Sequence, residues 1–239
     1  MTARITLNCD MGEGFALYRF ANDAELMPLI DLANVACGFH AADPSVMRAT
    51  VRLAKQHGVK VGSHPSLPDL QGFGRRAMAM RPDEVTDLVT YQTGALVAFL
   101  QAENMPLHHV KPHGALYGMA ARDPAIAAAV AQAVKPFGVP LLGMAGTAHD
   151  SYAAQGVPMV AEFYADLDYD ENGALILSRV HDAVDPVAAR ERMMRAIKEG
   201  KVKNNAGRDI PMKTESVCVH SDTPNAAAIA AELSRALRA

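Results

Sequence analysis

The sequence predicts an α/β fold, a parallel sheet that closes on itself as a seven-stranded (β/α) barrel. Three observations predict it. Short β-like runs alternate with longer helical patterns from one end of the chain to the other. The 239 residues, 50% hydrophobic and 21% charged, suffice for one large core, and α/β barrels of this length stay undivided. Ionisable residues recur at the C-terminal ends of the apolar runs, where barrels gather their chemistry. A single α/β barrel domain over 1–239 is therefore expected.

The elements follow in order. ITLNCD (5–10) ends on Asp10, and Gly12, Glu13 and Gly14 make a turn pliable enough to aim either carboxylate inward. ANVACGFH (33–40) ends on His40, after which Asp43 and Pro44 open a helix over 44–57 that Gly58 closes. VKVGSHPS (59–66) carries His64. SLPDLQGFGRRAMAMR (66–81) is the longest irregular stretch and reads as a functional loop instead of a domain boundary. A helix over 82–102 leads to HHVKPHG (108–114), with Lys111 and His113. A helix over 123–135 precedes PLLGMAG (140–146), and PMVAEFYAD (158–166) then carries Glu162 and Asp166. A helix over 185–199 leads to ESVCVHSD (215–222), with His220 and Asp222, and Asn225 begins an Ala-rich helix over 225–238. No repeat, low-complexity tract or linker divides the chain.

Several function classes are excluded. A net charge of -3 and a pI near 6.3 leave no basic footprint for a nucleic acid backbone. MTARITLNCD lacks the pattern of a secretory leader and no apolar run approaches membrane-spanning length, so neither membrane nor nucleic acid partners are expected, and the location expected is cytoplasmic. Cys9, Cys37 and Cys218 are odd in number, widely spaced and set in apolar runs, as buried thiols would be. After the first strand G-E-G-F-A lacks the third glycine of a dinucleotide site, EGKVK (199–203) lacks the hydroxyl residue of a phosphate loop, and G-x-S-x-G is absent.

Side chains alternate across a strand, so Asn8 and Asp10 share a face, as do Lys111 with His113, Glu162 with Tyr164 and Asp166, and Cys218 with His220 and Asp222. In a closed barrel these faces converge on one mouth. Asp10, Glu13, His64, Lys111 and His113 are the candidate catalytic residues, and Asn8, His40, Arg76, Glu162, His220 and Asp222 the candidates for substrate contact. Arg75 and Arg76, behind two glycines near that mouth, suit an anion. His57, in KQHG, is expected to cap a helix C-terminus, and His108, His149 and His181 to play similar structural roles. Asp10, His40, His64 and His113 are suited to a divalent metal such as zinc or manganese. The metal-free alternative has Asp10 or Glu13 activate water while a histidine delivers a proton and Lys111 stabilises negative charge. Spacing leaves both open.

LNCDMGEGF (7–15), ANVACGFHAADP (33–44), GSHPSLPDLQGFGRR (62–76), VKPHGALY (110–117) and VCVHSDTPNA (217–226) resemble the signature segments of the LamB/YcsF family, in order and over nearly the whole chain. The resemblance implies a barrel of the glycoside hydrolase/deacetylase type. It also implies the 5-oxoprolinase reaction, ATP-dependent hydrolytic opening of 5-oxoproline (pyroglutamate) to L-glutamate with ADP and phosphate. It further implies two partner subunits, B and C, similar to allophanate hydrolase subunits, which use ATP as co-substrate to activate the lactam. Asp10, Glu13, His40, His64, Lys111, His113, His220 and Asp222 stand where the family's motifs place polar residues. Two positions depart from the pattern. In EFYADLDY Leu167 stands in place of an arginine, a role Arg179 or Arg76 would have to take over, and Ser221 stands where the last motif has glycine. Two other functions compete: a metal-dependent deacetylase or amide hydrolase acting without ATP, and a noncatalytic subunit that carries a ligand to its partners.

Overall fold

The computed structural model describes residues 4–18, 22–176 and 182–239. Its strands are β1 (Thr6–Met11), β2 (Leu32–Ala36), β3 (Lys60–His64), β4 (Leu107–Val110), β5 (Leu141–Gly143), β6 (Met159–Tyr164), β7 (Lys201–Lys203), β8 (Asp209–Pro211) and β9 (Ser216–Val219). Seven close a parallel barrel in the order β1-β2-β3-β4-β5-β6-β9, with β9 returning to β1, while β7 and β8 pair as a separate antiparallel hairpin. The seven expected strands are the seven of the barrel.

The α-helices are α1 (Asp23–Leu26), α2 (Pro44–His57), α3 (Pro82–Ala102), α4 (Gly114–Arg122), α5 (Pro124–Val134), α6 (Ser151–Ala154), α7 (Pro186–Glu199) and α8 (Ala226–Arg238), of which α1 and α6 are single turns. α2 forms where expected because the Asp43 carboxylate accepts from the backbone N–H groups of Ser45 and Val46, Pro44 occupies the first turn, and Gly58 ends the helix in the left-handed region. The 82–102 helix also has the expected bounds. α4 departs from the sequence reading: a strand is expected to run on to Gly114, yet β4 stops at Val110, Lys111 and His113 still donate their backbone N–H groups to the carbonyls of Ser63 and Pro65, and Gly114 already opens a helix. Glycines at 114 and 118 weaken the helical pattern there. The β7–β8 hairpin is a second departure, its strands being too short for a period to register.

The apolar core lies between barrel and helices, where Leu7, Cys9, Met11, Val35, Val61, Phe163, Val217 and Val219 point outward beneath the helical layer. The barrel interior is polar instead. Asn8, Asp10, Asn34, His64, His109, Glu162, Ser216 and Cys218 are buried along its inward faces. Such groups persist in a core only when hydrogen-bonded to one another, so the interior is a built network. All three cysteines are buried free thiols. Among the described residues no helix is long and apolar enough to cross a membrane.

Candidate active site

Strand ends on one side of the barrel deliver the ionisable groups to a narrow cavity lined by Asp10, His64, Arg75, Lys111, His113, Tyr117, Tyr164, Leu175 and His220. A larger cavity, about 670 Å³, opens between the 14–18 turn and α2, and the ionisable cluster is not part of it.

Lys111 stands at the centre. Its ammonium lies 3.0 Å from Asp10 Oδ1, 3.4 Å from Glu162 Oε1 and 2.9 Å from Cys218 Sγ, and 5.2 Å from the centre of the Tyr164 ring. Burial opposes its charge, but Asp10 and its other anionic neighbours outweigh that cost and hold the ammonium well above its ordinary value. Asp10 also accepts from Asn34 Nδ2 at 2.8 Å and lies 3.3 Å from His64 Nε2 and 3.9 Å from His220 Nε2. Burial pushes Asp10 up, yet His64 and Lys111 prevail and keep the carboxyl well below the usual range.

Glu13 is tuned the other way. It accepts from His40 Nε2 at 3.0 Å and Ser221 Oγ at 3.1 Å, and His113 Nδ1 lies 3.6 Å away. Burial, then the charge of Asp10, push it up to about 7. His40 stacks on His113 at 3.8 Å, and burial lowers His40 to about 3 and His113 well below its ordinary value. His113 Nε2 donates to the Phe73 carbonyl at 2.8 Å, so the 66–81 loop forms one wall of the site. Gly74 permits this: a Cβ there would overlap Ser66 Oγ and sit 2.7 Å from the His113 ring. His220 bonds Asp166 at 3.1 Å; burial works against its charge, but Asp166 outweighs it and raises its pKa.

The five expected catalytic residues, Asp10, Glu13, His64, Lys111 and His113, are thus brought together, with His40 and His220 beside them. Asn8 and Glu162 are fully buried below Lys111, holding it from beneath instead of facing the cavity. Arg76 does not reach the mouth. It is bound to Asp69 on the loop, while Arg75 turns inward to Asp222 at 2.7 Å, because a Gly-Phe-Gly turn sends consecutive arginines to opposite sides. Leu167 is buried, and Arg192 of α7 donates to its carbonyl from outside the cavity. Arg179 and His181 lie outside the described residues. His57 ends α2 as expected, and His108, on β4 and bonded to His109, and the buried His149, which accepts from the Met144 N–H and bonds the Tyr117 carbonyl, hold structural places away from the cavity.

Asn34 and His109 join the network without having been singled out by the sequence. A signal exists for His109: if Lys111 points inward, the residue two positions earlier does too. Glu13, His40, His64 and His113 each place a donor atom within 4.8 Å of the others and could hold a metal ion, as could Asp10, Cys218 and His220. Glu13 thus joins the three histidines where Asp10 is expected.

A model of the LamB/YcsF family matches residues 5–239. The chain is 45% identical to the A component of 5-oxoprolinase from Bacillus licheniformis, over 99% of this chain and 95% of that protein. It is also 45% identical to the lactam utilization protein lamB of Emericella nidulans, over 91% and 88%. The crystal structure of a lactam utilization protein from Thermus thermophilus superposes with a TM-score of 0.90 at 43% identity, covering 98% of this chain and 96% of that one.

Proposed function

Because the chain belongs to the LamB/YcsF family, we propose that it is the A component of a 5-oxoprolinase, opening 5-oxoproline to L-glutamate after partner subunits B and C have activated the lactam with ATP. One arrangement carries the chemistry: Asp10, on the cavity wall 3.0 Å from Lys111, is held well below the usual carboxylate range, whereas Glu13, buried against His40, Ser221 and His113, is pushed up to about 7. Such a split assigns separate tasks. Glu13, matched to neutral pH, takes the proton of the attacking water. Asp10 anchors Lys111, whose ammonium faces the negative charge that develops on the carbonyl side. The ring C–N bond breaks as His220, whose pKa Asp166 raises, gives the departing nitrogen its proton, and a second water then hydrolyses the remaining acyl phosphate to the carboxylate and inorganic phosphate. A lactam is a stabilised amide and this set offers acid and base but no covalent nucleophile, so activation by ATP through partners completes it. The 66–81 loop forms a wall of the site and exposes Leu70, which suits it to partner docking.

The test is glutamate release from 5-oxoproline by the purified chain, with and without ATP and the B and C subunits. Activity only in the full mixture supports the reading; equal activity of the chain alone overturns it.

The donor set Glu13, His40, His64 and His113 favours a second reading, a metal-dependent amide hydrolase acting without ATP. The residues fit a zinc-like ion: three imidazoles and a carboxylate are its usual ligands, and the outer nitrogens of His64 and His113 are tied to the carbonyls of Lys111 and Phe73 at 2.7 and 2.8 Å, as orienting bonds of metal ligands are. Bound metal would supply a Lewis acid, with Glu13 a ligand instead of a base. One equivalent of metal in the purified chain, with amide hydrolysis in the absence of ATP, would establish it.

A further inference from the structure

Below the cavity, Asn34 donates both hydrogens of its side-chain amide: one to Asp10 Oδ1 at 2.8 Å, the other to Asn8 Oδ1 at 2.9 Å. Those oxygens only accept, so the amide must present its own oxygen the other way. There it meets His109 Nε2 at 2.7 Å. A carbonyl oxygen accepts only from a protonated nitrogen, so His109 carries its hydrogen on Nε2, leaving Nδ1 to accept from His108 Nδ1 at 3.1 Å. Were the Asn34 amide to flip, its oxygen would face the Asp10 carboxylate and its NH₂ the ring. The Nε2–H of His109 opposes that from the far side, holding the amide oxygen while the Asp10 and Asn8 oxygens hold its NH₂.

The backbone is shaped around this ring. A Cβ at residue 62 of β3 would overlap His109 Nε2, so a glycine there is what lets the imidazole lie across the barrel, and the β3–β4 pairing shifts register between Val61 and Gly62. His109 and Asn34 are both fully buried, and neither lines the cavity.

We propose that His109 is a positioning residue of the reaction: it locks the Asn34 amide as a donor to Asp10, and so fixes the carboxylate that anchors Lys111. The proposal rests on the 5-oxoprolinase reading only for the identity of the reaction. His109 acts through Asn34 and never touches substrate.

Three measurements test it. In the purified chain, ring ¹⁵N shifts should show His109 neutral and protonated on Nε2; protonation on Nδ1 overturns the proposal whatever the protein's activity. In the assembled enzyme His109→Leu, which keeps volume but loses the donor, should lower kcat about tenfold to a hundredfold with KM nearly unchanged. His109→Gln, whose amide N–H reaches the position of Nε2, should restore most of it. The third is a double-mutant cycle. With Asn34→Leu already present, His109→Leu should cost nothing further, because the residue it acts through is gone; independent, multiplying losses would mean a role in packing alone and overturn it. Melting curves identify any variant that fails to fold, in which case the ¹⁵N result stands as the deciding measurement. Absence of wild-type glutamate release would count against the functional reading and leave the tautomer result intact.

Discussion

Replacing Glu13 by Gln should make the protein more stable at alkaline pH while destroying its activity. The carboxyl is buried and raised from 4.5 to about 7, a difference worth about 3 kcal/mol. Since the folded value lies above the unfolded one, the stabilisation is complete below about pH 4.5 and lost as pH rises through about 7. At pH 8 the wild type therefore carries the cost of a buried anion, which Gln cannot incur. His40 can still donate to the amide oxygen, and the Ser221 hydroxyl can turn to accept from the new NH₂. With about 3 kcal/mol as an upper bound, Tm at pH 8 should rise by at most roughly 6–12 °C for a chain of this size, and the gain should shrink towards pH 4.5. Calorimetry of both proteins across that range reads the effect, and glutamate release by the assembled enzyme should fall by more than about a hundredfold. A variant less stable than wild type at pH 8, or one keeping a tenth of the rate, would refute the assignment of Glu13 as a raised, proton-accepting carboxyl.

Lys111→Met should lower kcat by about a hundredfold or more and lower Tm as well, because it leaves Asp10 and Glu162 buried without their cation; normal kinetics would remove Lys111 from the mechanism. The rate of the wild type should fall below about pH 7 as Glu13 gains its proton and fall again on the alkaline side as His220, raised above 6.5 by Asp166, loses its own. His220→Gln should abolish the alkaline limb and keep the acid one, which a pH profile of kcat/KM checks. Leu70→Asp, on the exposed part of the 66–81 loop, should weaken co-purification with the partner subunits without moving Tm; unchanged assembly would place docking elsewhere.

Much of the site is legible in the sequence because a strand has a period of two and a barrel converges its strand ends. That alone puts Asp10, His64, Lys111, His113 and His220 on one mouth before any contact is known. Arg75 and Arg76 cannot be told apart in this way, since which of two neighbours turns inward depends on a turn whose φ values the sequence does not display; Phe73 adopts φ 54 and Gly74 φ 65 there. Asn8 and Glu162 have the expected face but a different depth. Alternation assigns inside or outside, whereas height along the barrel depends on strand stagger, which only the closed sheet defines. The polar interior is hidden for a related reason: Asn34 and Gly62 are ordinary within their runs and acquire meaning only when β2, β3 and β4 bring them to His109.

The most direct test of the central claim measures ATP hydrolysis and glutamate formation together, from 5-oxoproline, for the chain alone, for the B and C subunits alone, and for the mixture. The account predicts glutamate only from the mixture, in step with ATP consumed, and its loss from the mixture when the chain carries Glu13→Gln. Equal glutamate formation by the chain without ATP or partners, or an undiminished rate with Glu13→Gln, would contradict it.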